Sequence, residues 1–197
     1  LAELRDLNSL VQLLSEVRPD WIFHLAAQSY VTTSFIAPAD TLETNIIGTT
    51  NLLDSIRISG IDPKVHICSS SEVYGQVAEN EVPIRESNPF RPASPYAVSK
   101  VGEDMIAQQY FASYGLRIVR TRMFTHTGPR RGDVFAESSF AKQIAEIEAG
   151  IRENPVNVGN LDSVRTLADV RDAVKAYWLL MEKCPDGEVY NIGGDQT

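Results

Sequence analysis

KVHICSSS, residues 64–71, reads as a strand that ends in three hydroxyls. Upstream, Leu42, Ile46, Leu53 and Ile56 follow helical spacing over about 40–59, and Gly60 is placed as the C-terminal cap. Before that helix, DWIFHLA (20–26) is a short apolar run after Pro19, as a buried strand requires. Downstream, SPYAVSKVGEDMIAQQYFASYG (94–115) is a predicted helix with Ser94 as N-cap, Pro95 at its first position and Gly115 past its end. LRIVRTRMF (116–124) is a further strand, interrupted by polar residues. A helix near 138–149, an amphipathic helix over LADVRDAVKAYWLLME (167–182) and the strand and glycine turn EVYNIGG (188–194) complete the pattern. Strands separated by helices imply βαβ units and a parallel sheet. The strands end in Ala26-Ala27-Gln28-Ser29, Ser69-Ser70-Ser71-Glu72 and Thr125-His126, so one edge of an α/β sheet is expected to supply one pocket.

At 197 residues the chain can form one sizeable core, or one domain and part of another, with 43% hydrophobic and 22% charged residues as in ordinary globular proteins. A net charge of −8 excludes nucleic-acid binding by the chain as a whole but leaves room for a local basic pocket. No apolar run of about 18 residues suggests a membrane span, and the mixed start Leu1-Ala2-Glu3-Leu4-Arg5-Asp6 does not read as a secretory leader. Cys68 and Cys184 have no partners at metal-ligand spacing and His24, His66 and His126 are scattered, so no metal site is expected. A reduced, cytoplasmic setting is the default for such a chain.

Tyr96 and Lys100 lie at i and i+4, on one helical face. A free phenol, with a pKa of about 10, is a poor base at neutral pH. A nearby ammonium favours the phenolate, so Lys100 is expected to lower that pKa. The bland reading is an exposed tyrosine beside a solvated lysine. SSSEVYG (69–75) weighs against it by placing hydroxyls and a carboxylate at a strand end. Ser70 can hydrogen-bond the substrate oxygen that Tyr96 deprotonates, and Glu72, if partly buried, can act as general base on a carbon acid.

HLAAQS (24–29), NIIGT (45–49), SSSEVYG, SPYAVSK, HTGPRRG (126–132) and VGNLDSVRTLADVRDAV (158–174) together resemble the extended short-chain dehydrogenase/reductase family, over essentially the whole chain and in the family's order. Within it the chain is similar to the nucleotide-sugar 4,6-dehydratases and reductases, above all the GDP-mannose 4,6-dehydratases and the GDP-4-keto-6-deoxymannose reductases. The resemblance implies a Rossmann-like, doubly wound parallel sheet that uses NADP, or NAD. A dinucleotide-binding sheet opens with a glycine-rich strand-turn-helix. The first glycine here is Gly48, within a helix, so the chain reads as partial and lacking that first unit. Residues 1–155 are then the remainder of the cofactor-binding domain, and 156–197 the start of the substrate-binding region with the last helix and strand of the sheet.

Carried over residue by residue, the resemblance makes Ser70, Glu72, Tyr96 and Lys100 catalytic. In a dehydratase, Tyr96 removes the C4 hydroxyl proton as hydride goes to NADP. Glu72 takes the C5 proton of the resulting ketone, water leaves C6, and the hydride returns there. A reductase needs Ser70, Tyr96 and Lys100 but no C5 base. Leu25, Ala26, Ala27, Gln28 and Ser29 match the strand end along the cofactor, and His126 and Arg131 match contacts on its nicotinamide side. Tyr96 and Lys100 are cofactor-binding as well as catalytic, Lys100 by holding a ribose hydroxyl and so locating the nicotinamide ring. Arg165 matches an arginine that pairs with the sugar diphosphate, for which a bidentate guanidinium is suited. Thr125 and Thr166 depart from the asparagine and aspartate usual in the family, and Thr125 retains one hydrogen bond toward substrate. A GDP-sugar substrate and a homodimer or homotetramer built on a four-helix contact are further implied. The expectation is a dehydratase, with the GDP-4-keto-6-deoxymannose reductase, another nucleotide-sugar epimerase or reductase, and a non-catalytic Rossmann-like module as the alternatives.

Overall fold

The computed structural model describes residues 2–194. Four parallel strands, β1 (Trp21–His24), β2 (Lys64–Ser70), β3 (Ile118–Met123) and β6 (Val189–Ile192), form one sheet in the order β1-β2-β3-β6. Ile67 of β2 pairs with Arg120 of β3 and Ser70 with Met123, so these strands finish side by side.

Alternation along the strands sends successive side chains to opposite faces. Val65, Ile67 and Ile118 join Leu10 and Leu14 of α1 (Leu7–Val17), Leu53 and Ile56 of α4 (Gly48–Ile58), and Ala107 of α5 (Pro95–Tyr114) in one core. Val119 and Met123 face the other way, onto Ala173, Tyr177, Leu180 and Met181 of α7 (Val170–Lys183). Helices therefore cover both faces, as the doubly wound reading requires. The arginines that interrupt β3 point to the α5 side. Arg120 Nη1 and Arg122 Nε donate at 2.7 Å to the two oxygens of the fully buried Asp104, which neutralises part of their charge inside the protein.

Ser94 caps α5 by accepting from Ala97 N at 3.0 Å, Pro95 opens it, and Gly115 closes it at φ +71°. Three elements differ from the sequence reading. Helix α1, with Asp6 as its cap, was not anticipated. The helix expected over 40–59 is three pieces: α3 (Pro38–Leu42), a π-helical turn at Glu43–Ile47, and α4, preceded by the short α2 (Val31–Ile36). The helix expected from 167 starts at Val170, because Ala168–Asp169 form a short strand, β5, pairing in parallel with β4 (His126–Thr127). The remaining helix, α6 (Ala136–Glu148), lies where one was expected.

Candidate active site

A cavity of about 530 Å³ opens beyond the carboxyl ends of β1, β2 and β3. Leu25, Ala27 and Ser29 line it from the end of β1, Ser70 and Glu72 from the end of β2, and Tyr96 and Lys100 from the first turns of α5. Thr125, His126 and Arg131 close the side beyond β3. Ala26, Gln28 and Arg165 do not line it, although all three were expected at the site.

The loop after β1 is fixed by a residue whose role the sequence did not reveal. Asn45, fully buried in the π turn, accepts from Gln28 N at 2.8 Å and donates to Gln28 O at 3.0 Å and Ser99 Oγ at 2.8 Å. The extra residue of a π turn aims this amide at both the loop and α5. The Gln28 side chain turns inward, bonding Thr41 Oγ1 at 3.0 Å and the backbone of Tyr30, so it holds the loop and leaves the surface along the cavity to smaller neighbours.

At the end of β2, Ser70 caps a single turn by accepting from Glu72 N at 3.2 Å. Gly75 ends that turn at φ +61° and ψ −142°, and a Cβ there would lie 1.9 Å from Arg91 O. Only glycine fits. The same turn is anchored by Tyr74, whose hydroxyl donates to Asn191 Oδ1 at 2.7 Å and accepts from Arg122 Nη1 at 2.9 Å. Glu72 is only part-buried and accepts from Arg165 Nη1 at 2.7 Å. The guanidinium assigned to the diphosphate thus rests on the carboxylate assigned as base.

Lys100 acts on Tyr96 in the direction that the spacing predicts, but its bonds go elsewhere. Its Nζ lies 5.9 Å from the Tyr96 ring centroid, while it donates to Cys68 O at 3.0 Å and to Glu103 at 2.9 and 3.1 Å. Burial pushes the Tyr96 phenol above its ordinary value, with Lys100 and the Ser70 hydroxyl pulling it down and Glu103 adding to the rise. The expected net lowering is therefore not what this geometry gives: desolvation of the charged form outweighs an ammonium already engaged by a carboxylate.

His126 Nδ1 lies 3.2 Å from Phe124 O, and Arg131 donates to His126 O at 2.8 Å while its guanidinium sits 4.0 Å from the Phe135 ring centroid. The buried Nε of Arg131 has no hydrogen-bond partner. That Nε instead lies 3.6 Å from Glu137 Oε2, and the small side chains of Ala27 and Ser29 past the β1 end leave room along the cavity for a flat cofactor. The residues present fit a nicotinamide dinucleotide.

A doubly wound parallel sheet with Tyr96 and Lys100 on a helix beside its carboxyl ends is the arrangement that the resemblance to the extended short-chain dehydrogenase/reductases implies. A family model described as GDP-mannose 4,6 dehydratase matches residues 1–197. The chain belongs to that family. It is 39% identical over 194 residues to GDP-6-deoxy-D-mannose reductase of Pseudomonas aeruginosa, covering 98% of this chain and 64% of that protein. It is 38% identical over 183 residues to GDP-mannose 4,6-dehydratase of Yersinia enterocolitica, covering 92% of this chain and 48% of the relative. The solved structure of RMD from Pseudomonas aeruginosa complexed with NADPH superposes with a TM-score of 0.95 at 38% identity, over 100% of this chain and 66% of that one. The chain thus spans between about half and two thirds of these relatives' lengths.

Proposed function

We propose that the protein carrying this chain is a GDP-mannose 4,6-dehydratase that uses NADP. The observation that carries this reading is one cavity lined by both Tyr96 and Glu72, a base for an alcohol and a base for a carbon acid. The nicotinamide, when bound, accepts a hydride and returns it. Tyr96 takes the C4 hydroxyl proton, and Ser70, held at the strand end by its cap, polarises the C4 oxygen. Glu72 takes the C5 proton that the new ketone acidifies, then delivers a proton to the departing C6 hydroxyl. Its bond to Arg165 ties that carboxylate to the segment that would meet the diphosphate, so substrate binding can free Glu72 for C5. Ala27 and Ser29 would lie along the cofactor, with His126 and Arg131 near its nicotinamide end and Thr125 toward the sugar. Residues 156–197 contribute to the substrate side through Arg165, although the last three lie outside the described residues.

A second reading, the 4-keto reductase, is supported by the likeness to the Pseudomonas aeruginosa reductase at 39% identity. Incubation of the intact protein with GDP-mannose and catalytic NADP separates the two. A dehydratase forms a 4-keto sugar without net NADPH turnover and loses that activity in Glu72→Gln. Consumption of a supplied 4-keto sugar alone, with stoichiometric NADPH oxidation, refutes the dehydratase. Exposed Ile58, Val98 and Met105 on α4 and α5 support pairing of copies through these helices. Among the described residues no helix is long and apolar enough to cross a membrane. Two free cysteines, Cys68 and Cys184, support a cytoplasmic setting within this reading.

A further inference from the structure

We propose that Glu103 is a positioning residue for Lys100: it holds the ammonium at the floor of the cavity and offsets its charge there, thereby setting the acidity of the Tyr96 phenol. The inference rests on the proposed role of Tyr96 as the C4 base. Neither the Tyr/Lys spacing nor the hydroxyl cluster pointed to Glu103, which the sequence places one turn beyond Lys100.

An ammonium has three protons to donate. Lys100 Nζ approaches Glu103 Oε1 at 3.1 Å, Glu103 Oε2 at 2.9 Å and Cys68 O at 3.0 Å, so all three are engaged by the protein itself. Both side chains are shut away from solvent, with exposures of 6% for Lys100 and 1% for Glu103. Screening is weak at such a place, so the carboxylate in contact with this ammonium offsets part of the field that the phenol feels, Lys100 pulling the Tyr96 phenol down and Glu103 pushing it up. A bond from Lys100 to the phenol or to a ribose hydroxyl must therefore be taken from Glu103 or Cys68 O.

Burial pushes the Glu103 carboxyl up to about 7, with Lys100 opposing and neighbouring Asp104 adding to the rise. The other ionisable groups around the pair come from five elements. One is α7, whose Tyr177 hydroxyl lies 3.4 Å from Cys68 Sγ and faces the same cavity. The others bring His24 at the end of β1, Cys68 of β2, Glu72 in the turn after β2, and Arg120 and Arg122 of β3, the last two neutralised in part by Asp104. His24 is held well below its usual range by burial, so it stays neutral where Glu103 titrates.

The test uses the intact protein with 13Cζ-labelled tyrosine, and Tyr96→Phe assigns the resonance. In Glu103→Gln, which keeps the shape and removes the charge, the Tyr96 midpoint is expected to fall by about one unit, a tenfold gain in phenolate at a given pH. Glu103→Asp, which keeps the charge, should remain near the parent. An unchanged Tyr96 midpoint in the glutamine variant overturns the proposal. Should that variant not fold, the unaltered protein carries the same test: the Tyr96 resonance should move in a second step, above the ordinary carboxylate range, as Glu103 ionises. Absence of that step overturns it equally. In turnover, the pH limb assigned to Tyr96 should move with the titration in kcat, with KM little altered. A shifted titration in a protein that turns over no nucleotide sugar would leave this inference standing and the proposed function refuted.

Discussion

Asp104→Asn tests the frame on which the site is mounted. Asp104 is fully buried and receives Arg120 Nη1 and Arg122 Nε, each at 2.7 Å, from side chains only 6% and 5% exposed. The amide would offer one oxygen to two guanidiniums and turn its own NH2 toward the other. Arg122 keeps Tyr74 Oη and Glu86 O, and Arg120 keeps Gln108 and Gly187 O, so neither arginine is wholly abandoned. Both nonetheless lose their countercharge. Removing one partner of a buried pair costs about 3–5 kcal/mol, and the residual bonds place this case near the lower end. That is a large share of a typical stability of about 5–15 kcal/mol. Urea unfolding of the intact protein at pH 7.5, by circular dichroism (a pH taken as roughly physiological, where paired carboxylates are ionised), measures it. The exposed Asp133–Lys142 pair is the control, and its removal should change little. A loss below about 1 kcal/mol for Asp104→Asn would refute the view that this triad clamps β3 to α5.

Gly75→Ala places a methyl 1.9 Å from Arg91 O at a positive φ, so it should cost several kcal/mol, of order 3 or more, and collapse activity through the Ser70–Glu72 turn; a parent-like thermal midpoint contradicts this. Stability should also depend on pH with a definite sign. Burial holds His24 at about 4 and His66 at about 3, below their unfolded value, so their contribution is present above about 6.5 and is lost as pH falls. Glu103, raised to about 7, works the other way and loses stability as pH rises from the ordinary carboxylate range to that value. Two histidines against one carboxyl leave a net uptake of protons on unfolding between about pH 4.5 and 6.5, so acidification there should lower stability, on the order of 1 kcal/mol per pH unit. Denaturant midpoints across that range should show it, and a flat profile would count against the buried neutral histidines.

The strand-and-helix order was legible because each element carries its own punctuation. Pro95 and Gly115 bound α5, and the apolar runs at β1 and β2 leave little choice of strand. The sheet's two-sidedness is visible in the alternation of Ile118, Val119, Arg120 and Thr121, once it is known that helices lie on both faces. Helix α1 is hard to see in the sequence because its cap, Asp6, ends a stretch of mixed charge that carries no other helix signal. The π turn was missed because one extra residue per turn leaves the apolar spacing of Leu42, Ile46 and Leu53 almost intact while moving Asn45 inward. Ser70, Glu72, Tyr96 and Lys100 converge on one cavity because strand ends and a helix start must meet there in a parallel sheet. What spacing cannot supply is competition: Tyr96 to Lys100 is a fixed i, i+4 step, but which acceptor wins the ammonium depends on burial of Glu103 and on the Cys68 carbonyl. Arg165 and Glu72, 93 positions apart, likewise meet only through the β4–β5 pairing that folds their segment back.

In the proposed reaction Tyr96 opens the chemistry at a sugar C4 hydroxyl while Glu72 works at C5. Its most direct test is turnover of GDP-mannose carrying deuterium at C4 by the intact protein and by Tyr96→Phe. The unaltered protein should yield a 4-keto sugar with the C4 label moved to C6 and a solvent hydrogen at C5, and the folded phenylalanine variant should yield none. Retained turnover in Tyr96→Phe, or a label that stays at C4, would contradict the account.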